Sequence, residues 1–209
     1  MNNDLTCSCS CTPDSTPTDT SPDFLYAHQS PYPPVCIKEQ NPLYGRMMLD
    51  NMGGQESEMS TIGLYIYNSI FLTSDTARIA EIFKNISIVE MHHLKIFGQL
   101  ADQLGESPRL WTHRQNRMFY WTAGYINYFT DLPKILLSAL NGEKQAVRKY
   151  REQCQRIQDE DIQKCLKRII LDEELHIEIL ESLCKKYPIK KTAGASSGFL
   201  IRSTLAALF

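Results

Sequence analysis

IAEIFKNISIVEMHHLKIFGQL, residues 79–100, and IQKCLKRIILDEELHIEILESL, residues 162–183, carry one pattern twice. The offset is 83 residues without a gap. Ile79 matches Ile162, Phe83 matches Leu166, Ile86 matches Ile169, Phe97 matches Leu180 and Leu100 matches Leu183. Apolar residues at alternating spacings of four and three mark the buried seam of a helix. Continuing that spacing through the middle of each segment lands on Glu90 and His93 in the first and on Glu173 and His176 in the second. Each helix therefore turns one Glu and one His toward the core.

Working outward, each repeat helix has a partner before it. The pattern predicts helix A over 55–72, helix B over 75–104, helix C over 131–157 and helix D over 160–186. Ser74 or Asp75 is the expected cap of helix B, with Gly105 just past its end. Thr130 or Asp131 is expected near the cap of helix C, and Pro133 suits its first turn. LYGRMMLDNM, 43–52, reads as a shorter helix closed by Gly53-Gly54. Short A–B and C–D joins and a long aromatic-rich connection over 105–130 predict an all-α fold, a four-helix bundle of two hairpins joined by a crossover.

Helices A and C add one seam carboxylate each. Helix C reads Leu136, Leu140, Glu143, Val147, Tyr150, Cys154, Ile157, and helix A reads Glu58, Ile62, Tyr65. Each glutamate has a tyrosine seven residues on, two turns along the same face. The sequence leaves open whether Tyr65 and Tyr150 bond the carboxylates, relay electrons or pack as core aromatics.

Glu58, Glu90, Glu143 and Glu173 bring four negative charges into a seam with no Lys or Arg to pair them. Four buried unpaired carboxylates are prohibitive. Two divalent cations balance them, with His93 and His176 as neutral ligands. Oxygen and nitrogen donors without sulfur favour iron or manganese over structural zinc. His92 sits off the seam as a flanking residue. Asp172 is placed to hydrogen-bond the distal nitrogen of His93 across the site, a solvated carboxylate being the alternative.

The body from about Gly45 to Tyr187 resembles the ferritin-like superfamily, especially its rubrerythrin and manganese-catalase branches. The likeness rests on Glu58, EMHH at 90–93, GEKQAVRKY at 142–150 and DEELH at 172–176. It implies that Glu90 and Glu173 bridge two metals, Glu58 and His93 completing one and Glu143 and His176 the other. It also implies a homo-oligomer, although no interface signature is explicit. A full rubrerythrin adds paired Cys-x-x-Cys motifs, and this chain has seven cysteines and no such pair.

The expected activity is a dinuclear iron or manganese oxidoreductase acting on hydrogen peroxide, by catalase-like disproportionation or by rubrerythrin-like reduction. Missing rubredoxin cysteines lean toward disproportionation, which needs no electron donor. The alternatives are a ferroxidase or iron-handling protein using dioxygen or peroxide, and a metal-stabilised coat or shell component.

Composition narrows the rest. A net charge of -2 and pI near 6.2 argue against a nucleic-acid partner, and RQNR at 114–117 has no wider basic patch. No apolar run approaches the roughly 18 residues of a membrane span. MNNDLTCSCSCTPD lacks the basic start and apolar core of a secretory signal. With no disulfide framework either, the expectation is a cytoplasmic protein. Seven of the ten prolines fall in residues 1–42, read as a flexible tail. The bundle is set at 43–188. Residues 189–209 read as a linker and a short apolar segment, packed on the body or docking a partner.

Overall fold

The computed structural model describes residues 26–72, 76–115 and 117–189. The helices are α1 (Pro42–Gly53), α2 (Glu58–Phe71), α3 (Ala77–Gln103), α4 (Leu132–Arg156) and α5 (Glu160–Lys186). Between α3 and α4 lie β1 (Trp111–Arg114), β2 (Arg117–Tyr120) and a 3-10 turn at Ala123–Tyr125. α2 pairs with α3 and α4 with α5, which is the expected bundle of two hairpins. α3 meets α5, α2 meets α4, and α1 lies across α3 and β1.

Local chemistry sets the helix ends. Asn41 accepts hydrogen bonds from the Leu43 and Tyr44 amides, with Pro42 opening α1. Ser57 accepts from the Ser60 amide, so α2 starts at Glu58, later than the periodicity suggests. Asp159 accepts from the Asp161 and Ile162 amides at the start of α5. α3 begins after Thr76, which makes no side-chain cap bond; Ser74 and Asp75 lie outside the described residues. Gly105 follows α3 with φ +90°, a left-handed conformation that glycine adopts without strain. Gly53 ends α1 where a Cβ would stand 2.8 Å from the Leu110 and Trp111 backbone, so only a bare backbone packs there.

The crossover is more ordered than a plain connection. Its antiparallel hairpin pairs Trp111 with Tyr120 and Arg114 with Arg117, and Gln115 in the turn has φ 48°. Trp111 is buried against α1, whereas Met118, Phe119 and Tyr120 are exposed.

The core is divided. One apolar cluster gathers Ile79, Phe83, Ile86, Ile135, Leu136, Leu140 and Leu180. The other gathers Met48, Leu49, Phe97, Leu100, Ile162, Leu166 and Ile169. Glu90, His93, Glu143, Glu173 and His176 lie between these blocks along α3, α4 and α5, and Glu58 joins them from the start of α2.

The flexible-tail expectation is corrected for residues 26–41. Tyr26, Tyr32, Val35 and Ile37 pack against the bundle. Helix side chains take up the segment's backbone groups: Gln103 Nε2 donates to Val35 O (2.9 Å), and Asp159 Oδ2 accepts from Lys38 N (2.7 Å). Proline favours an extended path, and four spaced apolar residues anchor it. Averaging them with residues 1–25 hides that pattern. Residues 1–25 and 190–209, including the CSCSC motif and the apolar C-terminal segment, lie outside the described residues.

Asn51 on α1 and Gln153 on α4 exchange two buried hydrogen bonds, of 2.7 and 2.9 Å. Gln153→Leu leaves the Asn51 amide buried and unsatisfied. The expected loss is about 1–3 kcal/mol of stability in urea unfolding.

Candidate metal centre

Glu58, Glu90, His93, Glu143, Glu173 and His176 converge in the layer between the two apolar blocks. All are buried, and Glu90, His93, Glu173 and His176 have 0% exposure. They form two overlapping groups, Glu58–Glu90–His93–Glu173 and Glu90–Glu143–Glu173–His176. Within each group, one potential ligand atom per residue lies within 4.8 Å of the others. Glu90 and Glu173 belong to both.

Each shared carboxylate turns one oxygen to each histidine. Glu90 Oε2 is 3.0 Å from His93 Nδ1, and its Oε1 is 2.9 Å from His176 Nδ1. Glu173 Oε1 is 3.3 Å from His93 Nδ1, and its Oε2 is 3.3 Å from His176 Nδ1. Oε1 of each is close to an imidazole yet makes no hydrogen bond of acceptable direction. A carboxylate spanning two sites in this way suits a bridging ligand.

The far nitrogens are engaged elsewhere. His93 Nε2 lies 3.0 Å from Asp172 Oδ2, the contact expected for Asp172, and His176 Nε2 lies 2.8 Å from the Tyr26 carbonyl. Both partners are acceptors, so each Nε2 carries the proton. Nδ1 is then the nitrogen turned to the carboxylate oxygens, and two acceptors facing each other there need a positive charge between them, a proton on Nδ1 or a metal ion. The geometry and the donor set therefore fit a pair of divalent ions.

Protons show the same need. Burial, then the charges of Glu90 and Glu173, pushes the Glu58 and Glu143 carboxyls well above the ordinary range. Burial also opposes ionisation of Glu90 and Glu173, but the two imidazoles outweigh it and hold both below that range. Burial favours neutral His93 and His176, yet the surrounding carboxylates raise both. Glu58, Glu143 and the two imidazoles are thus the groups disposed to hold protons, and four protons there would make the cluster neutral. Two divalent cations replacing four protons preserve that neutrality.

The two tyrosines meet carboxylates, each on the opposite hairpin. Tyr150 Oη on α4 donates to Glu58 Oε1 on α2 (2.5 Å), and Tyr65 Oη on α2 donates to Glu143 on α4. Glu58 is also the first residue of α2, where the helix dipole favours negative charge. His92 is exposed, as a flanking residue should be.

A cleft of about 490 Å³ reaches Glu58, Glu143 and Tyr150. Tyr125, Ile126 and Phe129 of the crossover form one wall, and Lys149 also lines it. The Lys149 ammonium donates to the Glu56 carbonyl (2.5 Å) and lies 3.6 Å from Asp50.

Sequence reasoning missed the groups behind Asp172. Its carboxylate accepts from the His28 amide (2.6 Å) and the Tyr32 hydroxyl (2.5 Å), and lies 2.7 Å from Arg168 Nη1. Burial works against ionisation of Asp172, but the His93 bond and charge, Arg168 and Tyr32 bring its pKa down to about 2. Arg168 was detectable as a cation one turn before Asp172. Tyr32 had no signal within a proline-rich stretch.

A family model described as Rubrerythrin matches residues 56–184. The chain is 23% identical over 186 residues to a probable manganese catalase of Clostridium acetobutylicum, covering 79% of each protein. KatB, a manganese catalase from Anabaena, superimposes with a TM-score of 0.70 at 21% identity, over 81% of this chain and 86% of that one. A Rhodobacter capsulatus bacterioferritin gives 0.58 at 23% identity, over 71% of this chain and 88% of that one. These likenesses show a ferritin-like fold. No helix among the described residues is long and apolar enough to cross a membrane.

Removing one tyrosine hydroxyl leaves a buried carboxyl without its donor. Tyr150→Phe and Tyr65→Phe should each cost about 1–3 kcal/mol, measured by urea unfolding of the metal-free protein. Equal stability of the native and substituted chains would refute that role.

Proposed function

The chain belongs to the rubrerythrin family, and from that premise we propose that it is a dinuclear-metal oxidoreductase that disproportionates hydrogen peroxide, with manganese as the favoured metal. The observation that carries this reading is the double reach of Glu90 and Glu173, each with one oxygen toward each histidine. Glu58 and His93 would complete one ion, and Glu143 and His176 the other. The choice of manganese draws on the relatives named as manganese catalases.

Two bound ions would polarise the O–O bond and share a two-electron change between them. The protein's part is to admit peroxide, exclude bulk solvent and manage protons. The cleft is lined by Glu58 and Glu143, the carboxylates that would each belong to one ion only. Two peroxides give two waters and one dioxygen. Protons lost by the peroxide being oxidised must reach the one being reduced, and a Glu58 or Glu143 oxygen at the cleft would carry them. Tyr150 and Tyr65 keep those carboxyls aimed by donating to them.

Metal analysis after metal-replete expression should find about two manganese ions per chain, and added peroxide should release dioxygen. Glu90→Ala combined with Glu173→Ala should abolish both. Iron with donor-dependent peroxide loss would instead indicate a peroxidase, and Fe²⁺ oxidation with mineral formation would indicate iron handling. A folded native chain that takes up no metal would sink the dinuclear reading.

Metal uptake should also release protons, one each from Glu58, Glu143, His93 and His176, or about four per pair of ions. Affinity should therefore fall as pH falls. Titrating Mn²⁺ into weakly buffered protein and following pH measures both effects.

A further inference from the structure

Residues 26–32 supply an outer partner for both histidines of the cluster. The Tyr26 carbonyl accepts from His176 Nε2 at 2.8 Å. The His28 amide and the Tyr32 hydroxyl both donate to Asp172, which accepts from His93 Nε2 at 3.0 Å. Tyr32 Oη is itself 3.4 Å from that nitrogen. Arg168 fastens the segment from α5: Nε donates to Ser30 O and Nη2 to His28 O, both at 2.6 Å. Its guanidinium lies 4.0 Å from the centre of the Tyr32 ring, and the His92 ring stands edge-on to that ring at 4.3 Å.

The internal repeat gives these contacts a purpose. Asp172 orients His93, and its repeat counterpart in α3 is Val89, a buried side chain with no polar group. His176 therefore lacks the carboxylate that its twin enjoys. The Tyr26 carbonyl stands in for it, and the Tyr26 side chain is packed against the neighbouring apolar block.

We propose that residues 26–32 form a clasp whose docking and the binding of the metal pair are one linked equilibrium, with Tyr32 a positioning residue for His93. This rests on the dinuclear reading above. A histidine binds metal through Nδ1 only if its proton stays on Nε2, and an outer acceptor enforces that tautomer. With the clasp undocked, the His176 N–H loses its acceptor, and once the ring has given up one proton nothing holds the other on Nε2 and keeps Nδ1 open to the metal. Asp172 loses two of the donors that hold its carboxylate toward His93. Docking thus strengthens metal binding, and metal binding must strengthen docking by the same factor.

Hydrogen exchange of the full chain with and without Mn²⁺ tests the linkage. Amides within 26–32 should exchange at least about tenfold more slowly with metal. Tyr32→Phe keeps the ring over Arg168 and removes only the hydroxyl. It should lower Mn²⁺ affinity about tenfold and shrink the metal-dependent protection, both read where urea unfolding shows the substituted chain to be folded, because the lost bond to Asp172 also lowers metal-free stability. Arg168→Lys, which loses the forked contacts to the segment, should do the same. Metal-independent exchange of 26–32, or native affinity in Tyr32→Phe, would overturn the clasp alone. A native chain that binds neither Mn²⁺ nor Fe²⁺ would overturn the clasp and the metal centre together.

Discussion

Four carboxylates cannot share a dry interior without equal positive charge nearby, and the bundle is organised around that requirement. Desolvation of a carboxylate costs several kcal/mol even after relaxation. Here no Lys or Arg lies in the seams, and the cations beside them, Lys149 and Arg168, are engaged at the cleft and at Asp172. Exchangeable charge, as protons or metal ions, must fill the gap. The two apolar blocks on either side supply the burial that keeps this layer intact. They also fix the helix rotations, so the six side chains arrive together without any loop taking part.

The inner arrangement is close to symmetric, and its surroundings are not. Asp172 stands behind one histidine and a backbone carbonyl behind the other. The cleft opens on Glu58, Glu143 and Tyr150, whereas the clasp covers the distal nitrogens of both histidines. Substrate access and ligand orientation are thereby assigned to different elements. The crossover walls the first, and residues 26–32 serve the second.

Much of this was legible because helical periodicity exposes its own violations. Glu90, His93, Glu173 and His176 stand out where an apolar residue is due, and Glu58 and Glu143 follow from the partner helices. Asp172 was readable from its place beside Glu173. The clasp was not, because its anchors Tyr26 and Tyr32 make single long-range contacts that leave no period. The β1–β2 hairpin escaped for a related reason: its second strand is exposed throughout and shows no alternation of polar and apolar residues. The direction of the tyrosine bonds was hidden too. Spacing paired each tyrosine with the glutamate of its own helix, whereas packing paired it with the other hairpin.

That exchange says something about how the bundle is put together. Tyr65 reaches Glu143 while Tyr150 reaches Glu58, so equivalent positions of the two hairpins contact each other reciprocally. Reciprocal contact is the signature of a two-fold isologous interface between identical subunits. The chain has the internal geometry of a dimer of helical hairpins fused end to end, with the crossover as the tether. Neither half can complete a site alone. A single hairpin would have to meet a second copy of itself before either ligand group could form, and Val89 against Asp172 marks where the two halves differ.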